Sequence, residues 1–304
     1  MNLKVFLKNK IKKAAGIQNL QEEIDTLYYF LNQYHDITGF PQAVGGLRDV
    51  QICDTVLLEI VDAICRKYKL RYWISCGNLI GAVRHKGFIP WDDDTDIYMC
   101  RSDYDRAKEI FENELVQYGL SIEEPKIMGW LGLGYKTDNT GVWLDIFPVD
   151  FLNLSELAGE NIEKIRKNID AYYRQYIKMK KYSSREQIFE KKQSMIPFLC
   201  KEEEATHCFR ATEFDLAYVI QSASTLFPLK PIKYEYTELM APNNPEQYLK
   251  EWLQGDYMEF PRGGVLHHGK DGVPLYEWAS RSGTDMAEIK LYLEEIFNKI
   301  SITN

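Results

Sequence analysis

Residues 71–104 read RYWISCGNLIGAVRHKGFIPWDDDTDIYMCRSDY, and the fold turns on where their aspartates are held. Asp92, Asp93, Asp94 and Asp96 follow the apolar Phe88, Ile89, Pro90 and Trp91 and precede the strand-like Ile97, Tyr98 and Met99. Carboxylates this close repel one another, and any that are even partly buried need a partner or a metal. The run therefore points to chemistry, not to stability. Successive side chains on a strand face opposite ways, so Asp94 and Asp96 share one face while Thr95, Ile97 and Met99 take the other. Such a pair suits a hard, oxygen-seeking cation, Mg2+ or Mn2+. The later stretch VWLDIFPVD alternates in the same way around Asp145. If the two strands are neighbours, Asp145 joins the pair, and the triad can hold metal that bridges phosphate oxygens and orients an attacking hydroxyl.

Asp92, Asp94 and Asp96 match the first ligands of an EF-hand loop, but Ile97 stands where that loop needs glycine and Asp103 where it needs glutamate. Upstream, Gly77 precedes a helix expected from a cap at Asn78 to about His85. Its backbone N–H groups and positive helix end suit a phosphate. Arg84, His85 and Lys86 lie between the two elements and can add cationic donors.

Working outward, Val50, Cys53, Leu57, Ile60, Ile64 and Tyr68 recur at helical spacing over 48–68, and Tyr72, Trp73 and Ile74 read as a strand. A strand is expected over 94–100, then a helix from about Asp103 to Tyr118 capped by Ser102. Two antiparallel strands follow, over 127–136 and 142–149, turning at Asp138–Gly141. This order is α+β: a mixed sheet flanked by helices. Residues 155–214 read as charged helix. Pro228, Pro231, Pro242 and Pro245 make 225–245 extended or looped. Asn244 then caps a helix to about Gln254, and Thr284 or Asp285 starts a closing helix to Ile300.

Ahead of the core, NLKVFLKNKIKKAA over 2–15 sets Leu3, Phe6, Leu7 and Ile11 against lysines, a pattern shared by interfacial and ordinary surface helices. Ile17, Leu20, Ile24, Leu27 and Leu31 follow as a short heptad seam, suited either to self-association or to docking on the domain. Three parts result: a helical extension over 1–38, a catalytic core over 47–154, and a mostly helical part over 155–304 that completes the site.

The chain of 304 residues carries a net charge of −8, which argues against a protein that coats nucleic acid. Its six cysteines show neither a CxxC pair nor a secreted framework, and buried thiols are expected. Cys200, His207 and Cys208 match no standard zinc spacing. No signal peptide and no membrane span are evident, so the cytoplasm is expected, with peripheral attachment to the inner membrane face open to the basic extension.

The run GNLIGAVRHKGFIPWDDDTDIYMCRSDYDR, with LRDVQ over 47–51 and the later LDIFPVD and GDYMEFP, resembles the LicD family, which includes bacterial phosphocholine transferases and fukutin-related proteins. The resemblance spans about residues 47–268. It implies a nucleotidyltransferase-like fold and transfer of a phosphorylated alcohol from a CDP-linked donor to a hydroxyl of a glycan or lipid-linked glycan, releasing CMP. On that footing Asp94 and Asp96 are metal ligands and Asp145 a third ligand or general base, with Asp92 and Asp93 shaping the outer shell. Gly77 and Asn78 face phosphate, Arg84 clamps it, and His267 and His268 are candidate phosphate donors. Two departures stand out: Asn78 replaces the family's Ser or Thr, and Tyr234–Thr237 replaces its aromatic-Glu-Gly segment. An NMP-transferring enzyme and a non-catalytic membrane scaffold are the alternative readings.

Overall fold

The computed structural model describes residues 16–123, 130–135, 142–155, 162–179, 182–210, 219–253, 256–261, 283 and 285–302. The basic stretch 2–15, the turn Asp138–Gly141, and His267 and His268 lie outside them.

The first helices are α1 (Ile17–Tyr34) and α2 (Gly46–Tyr68). Helix α2 is the spine of the core: Val50, Leu57, Ile60 and Ile64 are wholly buried, each contributing about 1.5–3 kcal/mol over exposure. Asp49 in its first turn and Arg66 and Lys67 in its last complement the helix dipole. Strand β1 (Tyr72–Ile74), helix α3 (Cys76–Arg84), strand β2 (Thr95–Cys100) and helix α4 (Arg101–Leu115) follow. Next come β3 (Leu120–Glu123), β4 (Leu131–Tyr135) and the long β5 (Trp143–Leu152). The strands run β1-β2-β5-β4-β3 across one sheet. β2 and β5 are parallel, and the other neighbouring pairs in that run are antiparallel. The architecture is α+β, as expected.

Past residue 154 the chain departs from the helical expectation. Helices α5 (Ile162–Met179) and α6 (Arg185–Met195) are present, but β6 (Leu199–Cys200), β7 (His207–Arg210) and β8 (Ile220–Ser222) return to the same sheet. β6 and β7 both pair with the outer half of β5, and runs this short carry too little periodicity to read from sequence. Cys200 and Cys208 both pair with Phe151 and so lie on opposite edges of β5, too far apart to share a zinc ion with His207.

The proline-bearing stretch is more ordered than expected: a helical turn, α7 (Ala223–Leu226), precedes the hairpin β9 (Lys230–Tyr234) and β10 (Thr237–Ala241). Helix α8 (Pro245–Leu253) starts where Asn244 Oδ1 accepts from Gln247 N at 3.2 Å. Helix α9 (Met286–Ile302) packs along α2, and Asp285 Oδ1 accepts from Ala287 N at 2.9 Å.

The hairpin tip is a latch. Glu235 accepts from Arg48 Nη1 and Nη2 at 3.0 and 2.6 Å and from Phe88 N at 3.0 Å, while its own N–H donates to Lys86 O at 2.8 Å. A Cβ on Gly87 would stand 2.4 Å from Glu235 Oε1, so only glycine lets the carboxylate this close. The tip thus fixes the loop that leads into the aspartates. Burial alone would raise the Glu235 carboxyl, but the bonds from Arg48 and Phe88 outweigh it and hold the group below its usual value. A depressed carboxyl stabilises the fold above its unfolded pKa of about 4.3, and that contribution is lost as pH falls through the folded value. Glu235→Gln is expected to cost about 2 kcal/mol at neutral pH. In thermal melts the deficit should shrink toward zero as wild type and variant are acidified below about pH 4.

Candidate active site

The sheet register brings the aspartates together. β2 and β5 pair in parallel with Asp96 opposite Asp145, flanked by Thr95 opposite Leu144 and Ile97 opposite Ile146. Thr95 and Ile97 are buried whereas Asp94 and Asp96 are half-buried; on β5, Leu144 and Ile146 are buried whereas Asp145 is half-buried. The three carboxylates therefore share one face, as the alternation predicts.

Backbone around them is tied down by side chains from three elements. Asn78 Oδ1 accepts from Asp96 N at 2.5 Å, and its Nδ2 donates to Tyr234 Oη at 2.8 Å. Ser75 N donates to Asp96 O at 3.1 Å. Buried Gln51 donates from Nε2 to Asp92 O at 2.9 Å and to Ile89 O at 3.3 Å, holding the turn of the aspartate loop. Arg48 and Gln51 thus give the LRDVQ stretch its meaning: both brace this loop. Asn78 is not the helix cap. Helix α3 starts at Cys76 with Ser75 at the N-cap position, and Asn78, inside the first turn, joins helix, strand and hairpin. Helix α4 likewise begins at Arg101, one residue before Ser102.

Gly77 also lies within α3, and a Cβ there would stand 2.2 Å from Asp92 Oδ2. The Asp92 carboxyl therefore sits against the first turn of α3. Gly81 does the same at the other end, where a Cβ would meet Gly87 O at 2.2 Å. The two glycines of GNLIG let the aspartate loop lie directly on the helix.

Electrostatically the site is short of positive charge. Asp96 is pushed well up, by burial first and then by the charges of Asp94 and Asp145, with Arg210 opposing. Burial and then Asp94 raise Asp92 in the same way. Asp92 and Asp96 keep some surface open, yet protein atoms surround them closely enough for desolvation to dominate. Asp93 is buried beside them.

The cations predicted between helix and strand are engaged elsewhere. Arg84 is buried, donates from Nη1 to Tyr257 O at 2.7 Å and from Nε to His85 Nε2 at 2.9 Å, and stacks 5.7 Å from Trp91. It ties the GDYMEFP stretch to α3. Burial, then the Arg84 charge, pulls His85 down to about 4, so the imidazole is neutral and is not a cationic donor. Lys86 folds back, its Nζ donating to Val83 O at 3.1 Å.

Three residues outside the predicted set belong to this site. Arg210, on β7, lies 5.1 Å from the Phe147 ring and 5.8 Å from Tyr98, and donates to Cys76 Sγ at 3.8 Å. Trp143 Nε1 donates to Asp145 Oδ1 at 2.8 Å. Asp54 is buried on α2, its Oδ1 accepting from Trp143 N at 3.1 Å. A charge next to Cys53 in the apolar stripe of α2 is the sequence signal for Asp54, and the alternation that puts Trp143 on the face of Asp145 is the one for Trp143; Arg210 has none.

The donor set fits a hard divalent cation. It is all carboxylate oxygen, and burial and then the neighbouring acids raise Asp92 and Asp96, a cost that a cation would relieve. Among the described residues no group of three or more His, Cys, Asp or Glu side chains is placed to hold a metal ion. Mg2+ needs none, since it takes one or two carboxylates together with substrate phosphates and water.

Asp94, Asp96 and Asp145 lie within a stretch that a family model matches. Residues 69–182 match the family model described as LicD/FKTN/FKRP, nucleotidyltransferase domain. The chain is similar to the lipopolysaccharide cholinephosphotransferase LicD of Haemophilus influenzae, 40% identical over 87 residues, 28% of this chain and 33% of that protein. Uncharacterized proteins of Rickettsia typhi and Rickettsia prowazekii are each 38% identical, over 71 and 68 residues, 23% and 22% of this chain and 23% and 26% of those proteins. The chain thus spans a third or less of the length of these relatives.

The bridging role of Asn78 is open to direct test. Asn78→Ala strands the Asp96 N–H and the Tyr234 hydroxyl, and should cost about 2–6 kcal/mol in denaturant unfolding, from two buried polar groups at roughly 1–3 kcal/mol each.

Proposed function

We propose, from the match of residues 69–182 to the LicD/FKTN/FKRP family model and from the geometry of the aspartates, that the protein is a metal-dependent phosphotransferase. It moves a phosphorylated alcohol, such as phosphocholine or ribitol phosphate, from a CDP-linked donor to a hydroxyl of a cell-surface glycan or its lipid-linked precursor, releasing CMP. The observation that carries this reading is the in-register pairing of Asp96 with Asp145, one face of a parallel pair set against the first turn of α3.

Asp94, Asp96 and Asp145 would hold Mg2+ or Mn2+, which when bound supplies neutralisation of the phosphate oxygens. The remaining work falls to the chain. The first turn of α3 directs backbone N–H groups and the positive end of its dipole at phosphate. Arg210 adds positive charge beside Asp96. In transfer, the acceptor oxygen bonds to the phosphorus of the moving group and the bond from that phosphorus to the CMP oxygen breaks. CMP leaves with the electron pair, and the hydroxyl proton passes to a carboxylate, for which Asp145 is the candidate. Arg84 and Asn78 serve by holding the loop and helix in place.

The matched domain is described as a nucleotidyltransferase, which keeps a second reading in view: NMP moved from an NTP onto a small molecule. The two are separated by whether the nucleoside monophosphate is released or ends on the product.

The extension supports a peripheral location. Helix α1 exposes Leu20, Leu27, Phe30 and Tyr34, and the stretch before it alternates lysines with apolar residues. Among the described residues no helix is long and apolar enough to cross a membrane. An anionic membrane surface or a second copy of the chain are the two partners such a face suits.

Asp96→Asn should abolish Mg2+-dependent release of CMP from CDP-choline, CDP-ribitol and CDP-glycerol alike. Because it removes one of several crowded charges, it should melt no lower than wild type. Turnover retained in the folded variant would refute the assignment. Separately, deletion of residues 1–38 should release the protein from anionic vesicles in flotation, or lower its mass in light scattering, while Mg2+-dependent CMP release persists. If neither changes, the extension is an ordinary surface helix.

A further inference from the structure

Asp145 is held by a residue two positions earlier. Trp143 and Asp145 lie on the same face of β5, and the indole Nε1–H reaches Asp145 Oδ1 at 2.8 Å. The indole nitrogen is a lone donor that accepts nothing, so this bond fixes both the ring and the carboxylate it meets. On the neighbouring strand Gly134 pairs with Trp143 and Gly132 with Asp145. A Cβ at Gly132 would stand 2.0 Å from Trp143 Cζ2, and one at Gly134 would stand 2.4 Å from Cε3. The two glycines form a flat bed for the ring, which any larger residue would lift.

The backbone of Trp143 is pinned as firmly. Its N–H donates to Asp54 Oδ1 at 3.1 Å, and its carbonyl accepts from Thr95 Oγ1 at 2.8 Å. Asp54 is wholly buried on α2, and its Oδ2 has no hydrogen-bond partner among the described residues. A buried carboxyl so poorly satisfied costs stability, and the bond it does make is to Trp143. Helix α2, strand β2 and strand β4 therefore converge on one tryptophan whose polar atom points at Asp145.

We propose that Trp143 is the positioning residue of Asp145: it locks the plane of that carboxylate for metal and phosphate. This inference rests on reading Asp145 as part of such a site. Removing a bond of this kind from behind a metal ligand weakens metal affinity about 10- to 100-fold.

The test is calorimetric titration of CDP into the full-length chain in excess Mn2+, with a protein-free blank, for wild type, Trp143→Phe, Asp145→Asn and the double variant. Phe keeps a ring on the glycine bed and removes the donor. Trp143→Phe should weaken Mn2+-dependent CDP binding about 10- to 100-fold. Since Trp143 acts through Asp145, the double variant should bind no more weakly than Asp145→Asn alone. Wild-type affinity in Trp143→Phe, or losses that add in the double variant, would overturn the inference while leaving the site reading intact. Absence of Mn2+-dependent CDP binding by wild type would overturn the site reading and this inference with it. Should Trp143→Phe fail to fold, Gly132→Ala, whose Cβ would meet the Trp143 ring, displaces that ring while keeping the indole; it should weaken binding likewise, and unaltered affinity there would overturn the inference.

Discussion

The parallel pairing of β2 with β5 is the constraint on which the rest of the molecule depends. It sets Asp96 opposite Asp145 and leaves Ile97, Ile146, Thr95 and Leu144 to the buried face. A slip of one residue would turn every one of these side chains over, sending carboxylates into the core and isoleucines into the cleft. The apolar face therefore enforces the geometry of the polar one. Asp150 to Leu152 extend β5 beyond this pairing, and β7 pairs with Val149 to Leu152 and carries Arg210 back toward the carboxylate end.

Holding several acids in one place works against folding, and the chain offsets this with polar contacts of unusual reach. Asn78 joins α3 to β2 and to the hairpin; Gln51 joins α2 to the aspartate loop; Arg48 and Glu235 join α2 to the hairpin tip. Arg84 joins α3 to the segment around Tyr257. These side chains bond mostly to backbone, so each fixes the path of a loop where apolar packing would only cover it. The second charge cluster behaves differently. Asp150 accepts from Arg101 and Lys192 on the far half of β5, and those two cations hold its carboxyl below the usual range even though burial opposes them. There acid and base are matched; at Asp94, Asp96 and Asp145 acids predominate, with Arg210 beside them.

Much of this was legible because period two is a strong signal. The shared face of Asp94 and Asp96, and the matching alternation around Asp145, follow from residue order alone, as does the buried stripe of α2. The register between β2 and β5 was not, since parallel neighbours are set by a long crossover and not by a local turn. Arg84, His85 and Lys86 read as phosphate ligands because a string of cations between a glycine turn and aspartates looks exposed. Burial of Arg84 and neutrality of His85 come from Trp91, Tyr257 and the loop over them, all distant or across a turn. Arg210 was hidden in HCFR, four residues too few to show a strand's alternation.

The asparagine at position 78 takes on a physical sense in this setting. A serine or threonine at position 78 offers one short hydroxyl, which cannot span both the Asp96 N–H and the Tyr234 hydroxyl as the Asn78 carboxamide does. Tyr234 in turn is available only because the hairpin tip is Tyr234–Glu235, whose carboxylate is drawn down onto Arg48 and Gly87. The asparagine on α3 is useful where a tyrosine on the hairpin meets it, and the Glu235 latch fixes the hairpin tip beside that tyrosine. Asn78, Tyr234 and Glu235 thus form one brace behind the strand that carries Asp96.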